Sequence, residues 1–283
     1  KRSGPSHGVE GLSIILHASD LHFGKADPAV VELFYHEIER QKPDLVILSG
    51  DFTQIGSEDE FIAAREFINR ITAPVFTIPG NHDIPRFNTW QRFFDPMKRY
   101  RDYISPMHDG VYEDKDCFIV GINTARPVLP HWNWANGMIS QAQVQFVENQ
   151  FRHADNDKVR IFVCHHPLVN FKAAPIDTVV WGSTDLLKVL EDQQVDVVLT
   201  GHIHHASILP YEESRGPVMV GASSATSSRL RAQSNGYNIL RLLPDKVDIE
   251  LIHWNGQSHV VFDSLSIPRQ LGSLTEPSPT ELG

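Results

Sequence analysis

The chain of 283 residues has only two cysteines and no apolar run near the eighteen or so residues of a membrane span. Cys117 and Cys164 each sit inside an apolar stretch, CFIVGI and IFVC, which predicts buried thiols and argues against a disulfide framework. Basic charge is scarce as well: 25 Lys and Arg stand against 35 Asp and Glu, a net charge of −10. That balance argues against broad, sequence-independent nucleic-acid binding, which rests on lysine and arginine neutralising phosphates. It leaves room for a small anionic substrate, because metal ions held inside an acidic protein invert the local field. The N-terminus, KRSGPSHGVEGLSIILHASD, starts basic, but its apolar run is short and ends at Asp20, unlike a secretory signal. The expectation is a cytoplasmic protein with no transmembrane segment.

The remaining composition, 41% hydrophobic and 21% charged, is that of a soluble globular chain. At this length such a chain buries roughly three-quarters of its unfolded surface and needs no staples. Short β-branched runs, SIILHASD, LVILSGD, VFTIPGNHD, FIVGINT, IFVCHHP and VDVVLTGHIH, read as strands ending in loops. Between them lie amphipathic stretches with start signals. Asp27-Pro28 opens a helix through about Arg40, the pairs Ser57/Glu60 and Ser140/Gln143 form capping boxes, and Asp185 precedes LLKVLEDQ. Strand alternating with helix predicts an α/β fold with parallel pairing. After His205 the runs ASILPYEE, PVMVGAS, GYNILRLLP, KVDIELIHW and SHVVFDS predict an antiparallel sheet that completes it. The expected organisation is one domain over 1–267, a lid or cap insertion within 84–110, and a loosely held tail over 268–283.

The polar clusters fall where strand runs end: Asp20 and His22, Asp51, Asn81 with His82 and Asp83, His165 with His166, and His202 with His204. In open α/β sheets the carboxyl ends of the strands face the ligand crevice, so five such loops converge on one face. Imidazole and carboxylate together suit Zn, Fe or Mn better than Ca or Mg. Each piece alone is weak. A D-x-H after a strand is commonly a turn or a cap, and GNHD is a good turn sequence. Histidine clusters after buried strands, HHP and GHIHH, have no packing purpose that leucine would not serve better.

As an ordered set, DLH (20–22), GD (50–51), GNHD (80–83), His165 and GHIH (201–204), these motifs resemble the calcineurin-like metallophosphoesterase superfamily over roughly residues 12–225. The resemblance implies a four-layer αββα sandwich, two mixed sheets flanked by helices, and a centre of two divalent metal ions. One ion is expected on Asp20, His22, Asp51 and His204. The other is expected on Asp51, Asn81, His165 and His202, with Asp51 bridging. Family members place the ligand histidine two residues before a proline, here Pro167, which selects His165 over His166. His82 is the expected non-ligand histidine beside the scissile phosphate, either protonating the leaving oxygen or donating a hydrogen bond in the transition state. Asp83 is expected to orient it, and His205 to play a structural part.

Within the superfamily, GDFTQIGSEDEF and HHP resemble the bacterial class III cyclic-nucleotide phosphodiesterases: Gly56, Glu60 and Phe61 fit, while Gln54 and Ile84-Pro85 depart. The implied function is hydrolysis of a small phosphodiester by a metal-bridging hydroxide. The alternatives are a phosphomonoesterase or pyrophosphatase on a nucleotide- or lipid-linked phosphate, and a non-catalytic scaffold. Residues 86–103, RFNTWQRFFDPMKRYRDY, repeat Phe87, Trp90, Phe94 and Met97 at helical spacing. They predict either an amphipathic helix packed on the core or a lid, one that could pair across a homodimer. Arg86, His166, and Trp132 and Trp134 of PHWNWANG are the candidate substrate contacts, with a structural place as the alternative for His166 and local packing for the tryptophans; Arg229 and Arg231 either face substrate or are solvated.

Overall fold

A computed structural model describes residues 13–129, 134–171, 178–210, 216–226 and 234–269. In chain order the elements are β1 (Ser13–Ala18), α1 (Pro28–Gln41), β2 (Leu45–Leu48), α2 (Glu58–Arg70), β3 (Val75–Thr77), α3 (Thr89–Phe94), α4 (Lys98–Tyr103), β4 (Gly110–Glu113) and β5 (Cys117–Ile122). There follow α5 (Gln141–Arg152), β6 (Val159–Cys164), α6 (Ser183–Asp192), β7 (Val197–Thr200), β8 (Ser207–Leu209), β9 (Val218–Gly221), β10 (Gly236–Leu242), β11 (Lys246–Trp254) and β12 (His259–Pro268).

Local chemistry sets the helix starts. The Asp27 side chain accepts from the backbone N–H of Ala29, and Pro28 occupies a position where a missing N–H costs nothing. Ser57 with Glu60 and Ser140 with Gln143 form complete capping boxes at α2 and α5. Helix α6 begins earlier than expected, at Ser183, two residues before Asp185. The preceding Gly182 has φ 84°, a left-handed turn that glycine makes without a Cβ clash.

The strands form two six-stranded sheets, ordered β12-β11-β10-β1-β2-β3 and β4-β5-β6-β7-β9-β8. In the first, β1, β2 and β3 run parallel and β10 joins β1 antiparallel. In the second, β5, β6, β7 and β9 run parallel, with antiparallel β4 and β8 at the edges. The two-residue alternation of β1 and β2 produces the layers. Ile15, Leu45 and Ile47 join one core with Ile119, Ile161 and Val198 of the second sheet. Leu16, Val46 and Leu48 face the other way, into a core with Phe34 and Ile38 of α1 and Phe61 and Phe67 of α2. Helix α5 lies against β5, with the Phe118 and Phe151 ring centroids 5.9 Å apart, and α6 lies beside α5. This is the αββα sandwich of two mixed sheets. Both cysteines are buried and free.

Two expectations need correction. The strands after His205 do not form one antiparallel sheet: β8 and β9 extend the second sheet, with β9 parallel to β7, while β10, β11 and β12 extend the first. All four residues of β9 are buried, the continuous apolar run of a parallel strand covered on both faces. Residues 86–103 are also not one helix. Asp95-Pro96 separates α3 from α4, since proline removes an N–H and disfavours helical backbone in the residue before it. Met97 and Tyr100 are buried, but Phe87, Trp90 and Phe94 are 75%, 72% and 69% exposed, so most of the apolar stripe is not packed on the core. Beyond Arg269 the expected tail lies outside the described residues.

Candidate metal centre

The loops that carry the polar clusters follow β1, β2 and β3 of one sheet and β6 and β7 of the other, and backbone hydrogen bonds lace them together. Asp20 N donates to Gly50 O at 3.0 Å, His22 N to Asp51 O at 2.9 Å, and Gly201 N to His165 O at 3.0 Å. The Ser224 and Thr226 hydroxyls donate to the carbonyls of Asp20 and Leu21 at 2.7 and 2.6 Å. The backbone is strained at the same places. Asp20, His22, Asp51, His202 and His204 have φ of 57°, 50°, 56°, 71° and 55°, a region costly for residues with a Cβ. Crowding accounts for two glycines: a Cβ on Gly80 would stand 2.1 Å from Asp51 Oδ1, and one on Gly50 2.7 Å from His165 Nδ1.

This backbone aims donor atoms at a common space. Asp20 Oδ1 lies 3.1 Å from His204 Nε2 and 3.5 Å from His22 Nε2. Asp51 Oδ2 lies 3.3 Å from His165 Nε2 and 3.8 Å from His22 Nε2, while Asp51 Oδ1 accepts from His82 N at 2.8 Å. Asn81 Oδ1 is 3.1 Å from His202 Nδ1. Backbone carbonyls fix two tautomers: Nδ1 of His22 donates to Thr53 O at 3.2 Å, and Nδ1 of His165 to Ser49 O at 2.8 Å. Each ring therefore turns its Nε2 inward, the orientation that metal-binding histidines need. In three triads, Asp20/His22/His204, Asp20/Asp51/His165 and His165/His166/His202, the ligand atoms lie within 4.8 Å of one another. His22 Nε2 and His204 Nε2 face each other at 3.3 Å, and Asp20 Oδ1 and His165 Nε2 are buried without a hydrogen bond of good geometry. Lone pairs crowded in this way are stabilised by cations, and the donor set, imidazole, carboxylate and amide oxygen, suits Mn, Fe or Zn.

The electrostatics agree. Burial alone would raise the carboxyl pKa of Asp20, but His204 and His22 more than offset it and hold it well below the ordinary range. Asp51 is likewise lowered, against burial, by His165 and His82. Burial disfavours charge on His165, but Asp51 raises its pKa to about 9. Burial, reinforced by His165, lowers His202 to about 3.

Asp83 makes contacts other than the orienting one expected of it, and of the two readings of His166 it is the structural one that its burial fits. The Asp83 carboxylate accepts from the Thr53 N–H and hydroxyl, both at 3.0 Å, and from Gly80 N at 2.8 Å, so it ties the loop after β2 to the loop after β3. Burial and the charge of Asp51 push its pKa up to about 7. The group that orients His82 is Gln54, whose carbonyl accepts from His82 Nδ1 at 2.7 Å. A backbone acceptor contributed by the neighbouring loop leaves no mark in side-chain identities. His166 is fully buried, its Nδ1 2.7 Å from Thr124 Oγ1, and contacts the His165 and His202 rings, so it presents no surface to a substrate.

Beside the donors opens a cavity of about 360 Å³ lined by Asn81, His82, Gln54, Arg86, Arg92 and Arg126, among others. Arg86, one of the candidate substrate contacts, thus lines this cavity. Trp132 lies outside the described residues, as do Arg229 and Arg231; Trp134 opens a short 3-10 turn, Trp134–Asn136, whose Ala135 borders the cavity. Arg126 was missed. The available signal was its place, four residues past β5, a parallel strand whose carboxyl end points to this edge.

Two mixed sheets with Asp, His and Asn donors at the strand ends define a metallophosphoesterase. The sequence profile of the calcineurin-like phosphoesterase family matches residues 14–206, and the chain belongs to that family. Its class is metal-dependent phosphoric ester hydrolase, and the family uses a dinuclear divalent metal centre. The chain is 26% identical over 225 residues to a probable cyclic nucleotide phosphodiesterase of Synechococcus sp., covering 78% of this chain and 80% of that protein. It is 26% identical over 172 residues to a probable glycerophosphodiester phosphodiesterase of Arcobacter nitrofigilis, covering 59% of each. Among solved structures, a dimetal phosphatase from Danio rerio superposes with a TM-score of 0.67 at 13% identity, covering 92% of this chain and all of that one. Among the described residues no helix is long and apolar enough to cross a membrane.

Proposed function

We propose that the chain is a two-metal phosphodiesterase that hydrolyses a small phosphodiester. Asp20, His22, Asp51 and His204 hold one ion, and Asp51, Asn81, His165 and His202 hold the other. The observation that carries this reading is the convergence of donor atoms from five loops: Asp20 Oδ1 and His165 Nε2 are buried without a hydrogen bond, and Asp20, His22, Asp51, His202 and His204 stand on strained backbone, a cost that binding of ions repays. The names of the Synechococcus and Arcobacter relatives, both diesterases, support a diester over a monoester.

When bound, the two ions supply charge neutralisation of the phosphate and a nucleophile at neutral pH. The residues of the chain supply position and protons. His82 Nδ1 lies 2.7 Å from Gln54 O, which can only accept, and 3.2 Å from Gln54 Nε2, which can only donate; the closer contact puts the proton on Nδ1, and Nε2 is left for the substrate without a hydrogen-bond partner among the described residues. A neutral His82 therefore offers Nε2 as an acceptor. To protonate a leaving oxygen or donate to a phosphate oxygen through Nε2 it must be the imidazolium. Asp83 and Thr53 hold the turn that presents Asn81 and His82 together.

The test is hydrolysis of bis(p-nitrophenyl) phosphate against p-nitrophenyl phosphate, on protein stripped by chelator and reloaded with manganese. The expected result is a metal-restored preference for the diester of at least about tenfold. A preference for the monoester would replace this reading with a phosphomonoesterase, and inactivity on both would favour a scaffold.

A further inference from the structure

The cavity beside the donors contains more positive charge than one phosphodiester requires. Arg126 donates from Nη1 to the carbonyls of Asn123 and Ala125, both at 2.9 Å, and from Nη2 to Gln143 Oε1 at 2.5 Å. Every one of these acceptors is neutral. A guanidinium has five N–H donors, so two remain for a ligand. Arg86 is exposed, and among the described residues its side chain has only a ring contact, 5.7 Å from the Phe87 centroid. Neither arginine is in an ion pair among the described residues. Asp109, the acid that acts on Arg126, instead accepts from Asn123 N and Gln143. Arg92 lines the same cavity and donates to the carbonyls of Pro127 and Pro85.

A partly buried charge without a directly paired carboxylate is costly, because desolvation is only partly repaid by the more distant Asp109. Arg126 is removed from water enough for burial to depress its pKa. The chain as a whole has a net charge of −10, so it does not lack carboxylates to place there. Guanidinium forks match the oxygen geometry of phosphate in a bidentate manner, which suits a fixed anion site.

We propose that the cavity holds a second phosphate group of the substrate, so that the true substrate is a phosphodiester bearing a further phosphate, its diester at the metals and its second phosphate on Arg126 and Arg86. This rests on the two-metal reading above and narrows its substrate class. It also gives Gln54 a place: between the two phosphate positions, where it holds His82 and lines the cavity.

The test is isothermal titration of the manganese-loaded protein with adenosine 5'-monophosphate and with adenosine 3',5'-bisphosphate. The two probes share the phosphate that reaches the metals, so the ratio of their Kd values reports the second phosphate alone. The expected ratio is at least about tenfold in favour of the bisphosphate, falling to within about threefold in Arg86→Gln/Arg126→Gln. Because Arg126 also braces the loop at Asn123 and Ala125, Arg86→Gln alone, on an exposed side chain, keeps the proposal testable if the double variant unfolds; it should lower the ratio by about threefold or more. Equal Kd values in the unaltered protein, or a ratio unchanged in the variants, would overturn the proposal. Hydrolysis of bis(p-nitrophenyl) phosphate is measured alongside. Loss of that activity with the Kd ratio intact would fall on the phosphodiesterase reading, not on the phosphate site.

Discussion

Replacing His82 with alanine removes a ring tied to the Gln54 carbonyl without removing an expected metal donor. The expected outcome is a kcat lower by about 10²–10⁴-fold at unchanged manganese content, measured by steady-state kinetics and elemental analysis of the same sample. A second residue, His17, connects the core to the site. Its Nε2 is 2.8 Å from Ser49 Oγ, and the Asn238 amide donates to its Nδ1 at 3.1 Å, so protonation would set two donors against each other. Burial lowers its pKa from 6.5 to about 3. Between those values the unfolded chain binds one more proton, so stability declines as pH falls through this window, by about 1.4 kcal/mol per pH unit from this residue. Urea titrations at pH 4 to 6 should show a shallower decline in His17→Gln; identical slopes would contradict it. At this scale the proposed metal donors could be picked out because they sit in short motifs whose order is itself informative. The partners of Asp83 and His82 were not, because loop packing brings Thr53, Gly80 and the Gln54 carbonyl to them.

Helices α3 and α4 divide the segment 86–103 into an exposed half and an anchored half. Tyr100 is fully buried, with its hydroxyl 2.7 Å from Thr77 Oγ1, whereas the exposed Trp90 and Phe94 rings are tilted against each other with centroids 4.1 Å apart. Tyr100→Ala should destabilise by about 3–5 kcal/mol, and Trp90→Ser by less than about 0.5 kcal/mol, read by chemical denaturation. Equal costs would mean that the α3 rings are packed after all. Capped helices and buried strands could be read from the chain because their signals are local. The break at Pro96 was visible as a residue, but which side of it would be buried depends on the cluster formed by α2 and the first sheet. The same holds for β8 and β9: short apolar runs and turns mark them as strands, but β9 joins the second sheet by pairing with β7, buried throughout, and β8 joins it by pairing with β9.

For the whole molecule, two sheets from different stretches of chain bring five loops to one edge, and an acidic protein builds there a cavity lined by arginines. The strand and helix pattern gave an α/β fold, and the αββα architecture came only as what the family resemblance of the ordered motifs implies. Charge placement did not follow, because a net charge of −10 says nothing about where the 25 basic residues stand. The central claim is that Asp20, His22, Asp51, Asn81, His165, His202 and His204 form one dinuclear centre with Asp51 shared. It is tested most directly by elemental analysis of bound manganese in the unaltered protein and in Asp51→Ala, with folding checked by circular dichroism. Two ions per chain, falling to one or fewer in the folded variant, is the predicted result; a single ion in the unaltered protein, or two retained without Asp51, would contradict it.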